Sequence, residues 1–375
     1  MSGYIEKRGD AAFRLVVDLE PDDAGKRQRA TRTFHGTKRD ARKALAVFAV
    51  EVSKRPSTVG GEMLFRDFCK QEWLPAAKHT LAPRTLENYE RILDRSVLPT
   101  LGNRRLQDIT RVDVQALVDS QMNRARRDTR PGGLAAQTTV HVHRTIHRAF
   151  VQAIRAGRVD RNPSEHINLP RIVRKEPDVP DVEQTAALLA ALEGRRLHLP
   201  VLIAVTTGLR RGEVLGLRFG DVDLEARTLT VSRSLCKTKE LGVIVKEPKT
   251  KRSRRTIVLP SALVDALTDL VRTRDPAPDD YVVSGCKGGF WGPEQFSTEY
   301  CRTVKALGFS YRYHDMRHAH ASQLLALGVP VPVVSARLGH SDAATTLRVY
   351  AHALPGQDGA AVDVLNVALA GVGVI

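Results

Sequence analysis

Residues 207–217 read T-G-L-R-R-G-E-V-L-G-L. The apolar residues from Pro200 onward predict a helix over 200–217, interrupted at Gly208. Arg210 and Glu213 stand three apart at the helix start, so they are neighbours on its surface. Glu213 is placed to hold a nearby group. Arg210 lies near a helix N-terminus, which already favours anions. Alone, the pair reads first as an ordinary surface ion pair. Upstream, Asp181 and Gln184 are a capping pair for an Ala/Leu helix. Downstream, Thr228–Leu235 alternates like a strand, and Val243–Lys246 with Thr256–Leu259 are expected to flank a hairpin turn containing EPKTKRSRR. Helical patterns then dominate to about residue 353. Residues 181–354 therefore read as one mixed α+β domain.

Two further stretches of this domain carry chemistry. In H-D-M-R-H-A-H-A-S (314–322), His314 and Arg317 share a helix face and His318 lies one turn from His314. Two histidines four apart are compatible with a zinc site, but a zincin-type helix has Glu where this chain has Asp315, and Arg317 sets a cation on the same face. The alternative is a phosphate site built from Arg and His. In L-G-H-S-D-A-A-T-T-L-R-V-Y-A-H (338–352), a polar segment and a helix join His340 to Tyr350. A phenol with a pKa of about 10 is a weak nucleophile until a base or cations activate it.

The remainder of the chain is basic. Of 58 Lys and Arg against 42 Asp and Glu, residues 1–175 hold 34 and 20, which leaves only two of the sixteen net positive charges to the rest. A charge so placed suits a polyanion, most simply nucleic acid. Residues 1–57 read as three short strands (Tyr4–Lys7, Ala12–Leu19, Thr31–Phe34) and a helix over Lys38–Val52, with Lys26, Arg27, Arg29 and Arg32 forming a basic arm. Residues 61–167 read as four or five helices with basic outer faces, on which Arg84, Arg144 and Arg148 are candidate DNA contacts. Pro83 fits the first turn of a helix, and Thr110 with Asp113 caps another. His141, His143 and His147 read as solvated or DNA-facing. Residues 168–180, NLPRIVRKEPDVP, are a linker, and 355–375 an apolar tail too short to span a membrane.

Composition excludes several classes. At 42% hydrophobic and 27% charged, the chain can build cores. No apolar run reaches the roughly 18 residues of a membrane span, and MSGYIEKRGD has no apolar signal region. Cys69, Cys236, Cys286 and Cys301 form no C-x-x-C pair, which fits a reducing cytoplasm, with the protein at the nucleoid.

Together the motifs describe phosphoryl transfer. Two arginines can clamp the nonbridging oxygens of a phosphodiester, a tyrosine can attack phosphorus, and a lysine in a hairpin can protonate the leaving oxygen. No metal and no cofactor are needed. At this point the sequence resembles the tyrosine recombinases, specifically the bacteriophage-type integrases. T-G-L-R-R-G-E, H-D-M-R-H, L-G-H-S-D and T-T-L-R-V-Y-A-H stand in that family's order and spacing. GYIEKRGD and GKRQRATRTF resemble the family's three-stranded arm-binding domain, and 61–165 its SAM-like core-binding domain. The resemblance implies a multidomain, mainly α protein with small β-sheets. It implies that Arg210 and Arg317 clamp the scissile phosphate, His314 assists proton transfer and phosphate binding, His340 bonds the phosphate and Tyr350 forms a 3′-phosphotyrosine. It makes Lys249, or Lys251 two residues on, the general acid, and Glu213 and Asp315 supports behind these groups. The implied activity is site-specific integration or excision of a mobile element such as a prophage. The implied partners are attachment-site duplexes, further copies in a homotetramer on DNA, an accessory excision factor and a host DNA-bending protein. Type IB topoisomerase-like cutting and a non-enzymatic DNA-binding regulator are the alternatives. The first lacks a use for the arm-like segment, and the second a use for the Arg, His and Tyr set.

Overall fold

The computed structural model describes residues 3–9, 12–18, 29–53, 63–123, 133–173, 179–246, 254–286 and 288–351, together with 362, 365, 366, 369 and 370. The chain divides into two compact units, Met1–Arg174 and Lys175–Ile375.

The first unit holds two separate cores. Strands β1 (Gly3–Lys7), β2 (Ala12–Asp18) and β3 (Arg29–His35) pair antiparallel in that order. The two-residue period of β2 turns Phe13, Leu15 and Val17 onto helix α1 (Lys38–Ser53), where Ala41 and Phe48 complete the core. The Arg32 guanidinium lies 4.5 Å over the Phe48 ring.

The second core is helical. It uses α2 (Phe65–Asp67), a π-helical stretch Phe68–Trp73, α3 (Leu74–Lys78), α4 (Pro83–Ile92), a second π-helical stretch Leu93–Val97, α5 (Leu98–Leu101), α6 (Arg111–Asn123) and α7 (Ala136–Arg155). Each π-helical stretch lies just ahead of a proline, Pro75 or Pro99. A proline lacks the N–H of the i→i−4 ladder and crowds the carbonyl four residues back, which opens the preceding turn. Along α7, Val142, Ile146, Ala149, Phe150 and Ala153 follow helical spacing into the core, and Phe150 stacks on Phe65 at 5.1 Å. The predicted caps form: Thr110 and Asp113 exchange bonds of 2.8–3.4 Å, and Pro83 is the first residue of α4. The α7 histidines depart from expectation. His141 is exposed, but His143 bonds the Ser164 carbonyl at 2.8 Å and His147 the Ser164 hydroxyl at 3.1 Å. Both serve the packing of the 162–164 turn.

The second unit runs α8 (Val182–Ala191), α9 (His198–Thr207), α10 (Arg211–Leu215), β4 (Val222–Asp223), β5 (Thr228–Val231), β6 (Ser234–Thr238), β7 (Gly242–Lys246), β8 (Arg255–Val258), α11 (Ser261–Arg274), α12 (Pro293–Ala306), α13 (Tyr313–Ala326), α14 (Val331–Leu338) and α15 (Ala343–Tyr350). Asp181 and Gln184 form the predicted capping box on α8. The expected hairpin between 243–246 and 256–259 is corrected: β7 pairs with β6, while β8 pairs with β5 in the sheet β4-β5-β8. Both partners were apolar and alternating, so pattern alone did not say which neighbour each would choose. The main core joins Leu188, Val201, Ile203, Leu215, Leu229, Ile257 and Leu263 to the aromatic group Phe296, Tyr300 and Tyr313. A smaller core of Ala321, Leu325, Val334, Leu338 and Tyr350 lies where α13, α14 and α15 meet. Among the described residues, no helix is long and apolar enough to cross a membrane.

Candidate active site

The site is built on two helix ends. Helix α9 stops at Gly208 (φ 69°) and α14 at Gly339 (φ 67°), both left-handed. Such turns leave the last carbonyls of a helix unpaired and free to accept. Arg317 from α13 takes two of them, donating from Nη1 to the Gly208 carbonyl at 2.5 Å and from Nη2 to the Leu338 carbonyl at 2.8 Å. Arg210, at the start of α10, donates from Nη2 to the Gly339 carbonyl at 3.2 Å. The two guanidiniums are thus fastened to successive carbonyls of one turn, and the next residue is His340. Neither turn has room for a side chain. A Cβ on Gly208 would lie 2.7 Å from His320 Cδ2, and one on Gly339 2.8 Å from Arg255 Nη1.

Glu213 holds Arg210 from behind. Its carboxylate accepts the Arg210 backbone N–H at 2.8 Å and Nη1 at 2.9 Å. It also accepts Arg255 Nη2 at 2.8 Å and Nη1 at 3.2 Å. Burial opposes its ionisation, but the bonds and charges of Arg255 and Arg210 outweigh it and bring its pKa down to about 2. Asp315, 3% exposed, accepts the Arg312 backbone N–H at 2.7 Å and so starts α13, the helix that carries His314 and Arg317. Both acidic residues expected behind the site therefore organise helix starts.

Arg317 is 3% exposed. Burial, then the neighbouring Arg210, lower its pKa to about 9, so it remains a cation at neutral pH. Of five guanidinium donors, those not spent on carbonyls remain for a ligand. His340 pairs Nδ1 with the buried Thr346 hydroxyl at 2.8 Å, which orients the ring. Burial, then Arg317 and Arg210, lower its pKa to about 4. His314 is open to solvent at its edge, yet the protein around it, then His318 and Arg317, lower its pKa to about 4 as well. Both imidazoles are neutral at pH 7 and can donate hydrogen bonds to an anion.

Helix α15 is started by Asp342, whose carboxylate accepts the Ala344 N–H at 3.0 Å, and it ends at Tyr350. Tyr350 is 1% exposed. Burial pushes its phenol up to about 12, against the pull of Arg317 and Arg210. Its hydroxyl lies 2.7 Å from His318 Nδ1. Among the described residues, no third His, Cys, Asp or Glu joins His314 and His318 in a cluster that could hold a metal ion.

The structure thus brings together Arg210, Glu213, His314, Asp315, Arg317, His340 and Tyr350. Lys249 and Lys251 lie outside the described residues, as do Lys26 and Arg27 of the basic arm. Arg29 pairs with Asp18 at 3.0 Å and Arg84 with Glu87 at 3.5 Å, both on exposed surface. Arg144 and Arg148 are exposed one turn apart on α7.

Three contributors were missed in the sequence. Arg255 bonds Glu213 and donates Nε to the Arg337 carbonyl at 2.8 Å. Arg337 reaches the Thr206 carbonyl at 2.9 Å and His320 Nε2 at 3.1 Å. His320 Nδ1 donates to the Val205 carbonyl at 2.9 Å, which fixes Nε2 as the acceptor for Arg337. Nothing in the spacing of Arg255 or Arg337 set them apart from the other arginines. His318 was legible as a neighbour of His314 but not as the partner of Tyr350.

Comparison with known proteins gives the family and the fold. Residues 180–356 match the phage integrase family, and residues 64–122 match the phage integrase N-terminal SAM-like domain. A XerC-like tyrosine recombinase of Caldanaerobacter subterraneus subsp. tengcongensis is 26% identical, over 97% of this chain and 98% of that protein. An integrase of Streptomyces ambofaciens is 27% identical over 74% of each. Among solved structures, the Tn1549 transposon integrase in complex with transposon right end DNA superposes with a TM-score of 0.68 at 23% identity, covering 81% of this chain and 100% of that one. The lambda integrase tetramer bound to a Holliday junction gives 0.56 at 16%, covering 90% and 95%. These two likenesses speak for the fold, and the sequence matches speak for descent. With four motifs in order on the helix ends that gather them, the chain belongs to the phage integrase family of tyrosine recombinases, enzymes that break and rejoin DNA at specific sites.

Proposed function

We propose that Tyr350 attacks a scissile phosphate held by Arg210 and Arg317, giving a 3′-phosphotyrosine and a free 5′-hydroxyl, and that the reverse step rejoins the strand. The observation that carries this reading is the 338–340 turn. Its carbonyls bind both guanidiniums, its histidine is oriented beside them, and the Tyr350 phenol feels both cations. Phosphoryl transfer is mostly positioning and charge stabilisation, and preset guanidiniums supply both. Neutral His314 and His340 add hydrogen bonds to the phosphate. Lys249, with Lys251 as its alternative, is assigned as general acid for the 5′-oxygen from its motif. The bond energy is kept in the phosphotyrosine, so rejoining needs no cofactor.

The amino-proximal part is assigned to binding. Residues 1–57, with Lys26, Arg27, Arg29 and Arg32, are proposed to bind arm sites. Residues 61–167, with Arg84, Arg144 and Arg148, bind core sites, and 168–180 link them to the catalytic segment 181–354. The lambda integrase tetramer on a Holliday junction supports a homotetramer at synapsis, with the tail 355–375 as the contact between copies. An excision factor and a host bending protein complete the proposed set.

The test is trapping. Nicked duplexes from the DNA flanking the coding region are mixed with wild type and with Tyr350→Phe. An SDS-resistant adduct in wild type alone is the expected result. A gel shift without an adduct would favour a DNA-binding regulator, and adducts without site preference a topoisomerase-like enzyme.

A further inference from the structure

Tyr350 is the most deeply placed group of the site. Its ring belongs to the small core of Ala321, Leu325, Val334 and Leu338, and burial drives its phenol away from ionisation. A nucleophile in that state needs a base within hydrogen-bond reach. Among the described residues, the group in reach is His318, with Nδ1 2.7 Å from the hydroxyl and the two rings 5.5 Å apart. His314, one turn earlier, stands edge-on to His318 at 4.8 Å between ring centres. His340 has its own Nδ1 occupied by Thr346.

We propose that His318 is a catalytic residue, the base that takes the phenol proton as Tyr350 attacks. In cleavage the Tyr350 O–H bond breaks and its proton passes to His318 Nδ1. The phenol oxygen bonds to phosphorus, the bond from phosphorus to the 5′-oxygen breaks, and that oxygen takes a proton from the general acid. In rejoining, the 5′-hydroxyl attacks phosphorus and returns its proton to the conjugate base of the general acid, the bond from phosphorus to the phenol oxygen breaks, and the departing phenolate recovers its proton from the His318 imidazolium. Nδ1 is then the bare nitrogen of the resting ring and Nε2 carries the hydrogen.

The surroundings suit this cycle. Burial lowers the His318 pKa, the Asp315 carboxylate raises it, and Arg317 and Arg312 lower it. The ring therefore rests neutral at pH 7, ready to accept, while Asp315 stabilises the cation once it forms. His314 and Tyr350 are the other titratable groups facing it. The proposal rests on Tyr350 being the nucleophile.

His318→Asn tests it. Asn keeps an acceptor oxygen near the place of Nδ1, so it can still hold the phenol, but it cannot take a proton. The expected result is a loss of about 100-fold in the rate of adduct formation on a nicked duplex, with DNA binding unchanged. The pH profile should change as well: wild type has already levelled off by neutrality, whereas the variant keeps gaining rate into alkaline pH. A substrate with sulfur in place of the 5′-oxygen needs no general acid, so it should leave the His318→Asn defect in place. Adduct formation within about threefold of wild type, with the wild-type pH profile, would overturn the proposal and leave His318 as a packing partner. Full rescue by the sulfur substrate would overturn it too. Variants are compared first by thermal unfolding and gel shift, and His318→Gln replaces an Asn variant that fails them. Tyr350→Phe and wild type run alongside. A wild type without an adduct overturns the nucleophile and the base together, while a wild-type rate in His318→Asn overturns the base alone.

Discussion

At the scale of single residues, the site sets arginine cations beside imidazoles that the surrounding protein keeps neutral. Arg317→Ala would remove a proposed phosphate donor and leave the Gly208 and Leu338 carbonyls without their partner. Loss of one preset donor costs about 3 kcal/mol in such sites, so single-turnover cleavage should fall at least about 100-fold. Near-normal cleavage would remove Arg317 from the phosphate clamp. His320 makes a different prediction, about stability. It is buried and bonded on both nitrogens, and burial, then Arg337, lower its pKa from 6.5 to about 4. Below pH 6.5 the unfolded chain takes up a proton there that the folded chain refuses. Stability is therefore unaffected above about pH 6.5 and declines as pH falls toward 4, by up to about 3 kcal/mol from this residue. Thermal unfolding of His320→Gln should show a shallower pH dependence across that window, and an unchanged slope would contradict it. The motif residues were legible because chemistry fixes their type and spacing. His318, Arg255 and Arg337 were not, because their partners stand 32, 42 and 17 positions away in the chain.

At the scale of elements, the site depends on how two helices end. Gly208 and Gly339 hold left-handed conformations and aim carbonyls at Arg317 and Arg210. Gly339→Ala would meet a backbone cost of roughly 1–2 kcal/mol. It would also press a methyl group against Arg255, the residue that fixes Glu213. Urea unfolding should shift to lower concentration, and cleavage should fall more than DNA binding does. A stable, fully active variant would contradict the turn's role. The helices were read to within a residue or two where caps and prolines mark them, as at Thr110, Pro83 and Asp181. The strand pairing was not, since β7 and β8 each find a partner earlier in the chain, a choice made by the surrounding core.

At the scale of the molecule, charge and chemistry are separated along the chain. Residues 1–175 hold all but two of the sixteen net positive charges, and the Arg, His and Tyr set lies beyond residue 207. Binding to long duplex DNA should therefore weaken steeply with salt through the first part. Deleting residues 1–55 should spare cleavage at a core site while removing protection of separate arm sites in footprints; unchanged footprints would dismiss the arm assignment. The basic first part, with its strand-and-helix segment before 57 and its helical segment after 61, was read from charge and pattern, whereas which side chains make the two cores of the first unit needed three-dimensional packing. The central claim is that DNA becomes covalently joined to Tyr350. The most direct measurement is to trap wild-type protein on a nicked duplex, digest the adduct with nuclease and trypsin, and locate the nucleotide by mass spectrometry. The account predicts the added phosphonucleotide on Tyr350, in the peptide that begins at Val349. A nucleotide on Tyr311, Tyr313 or any other residue would contradict it.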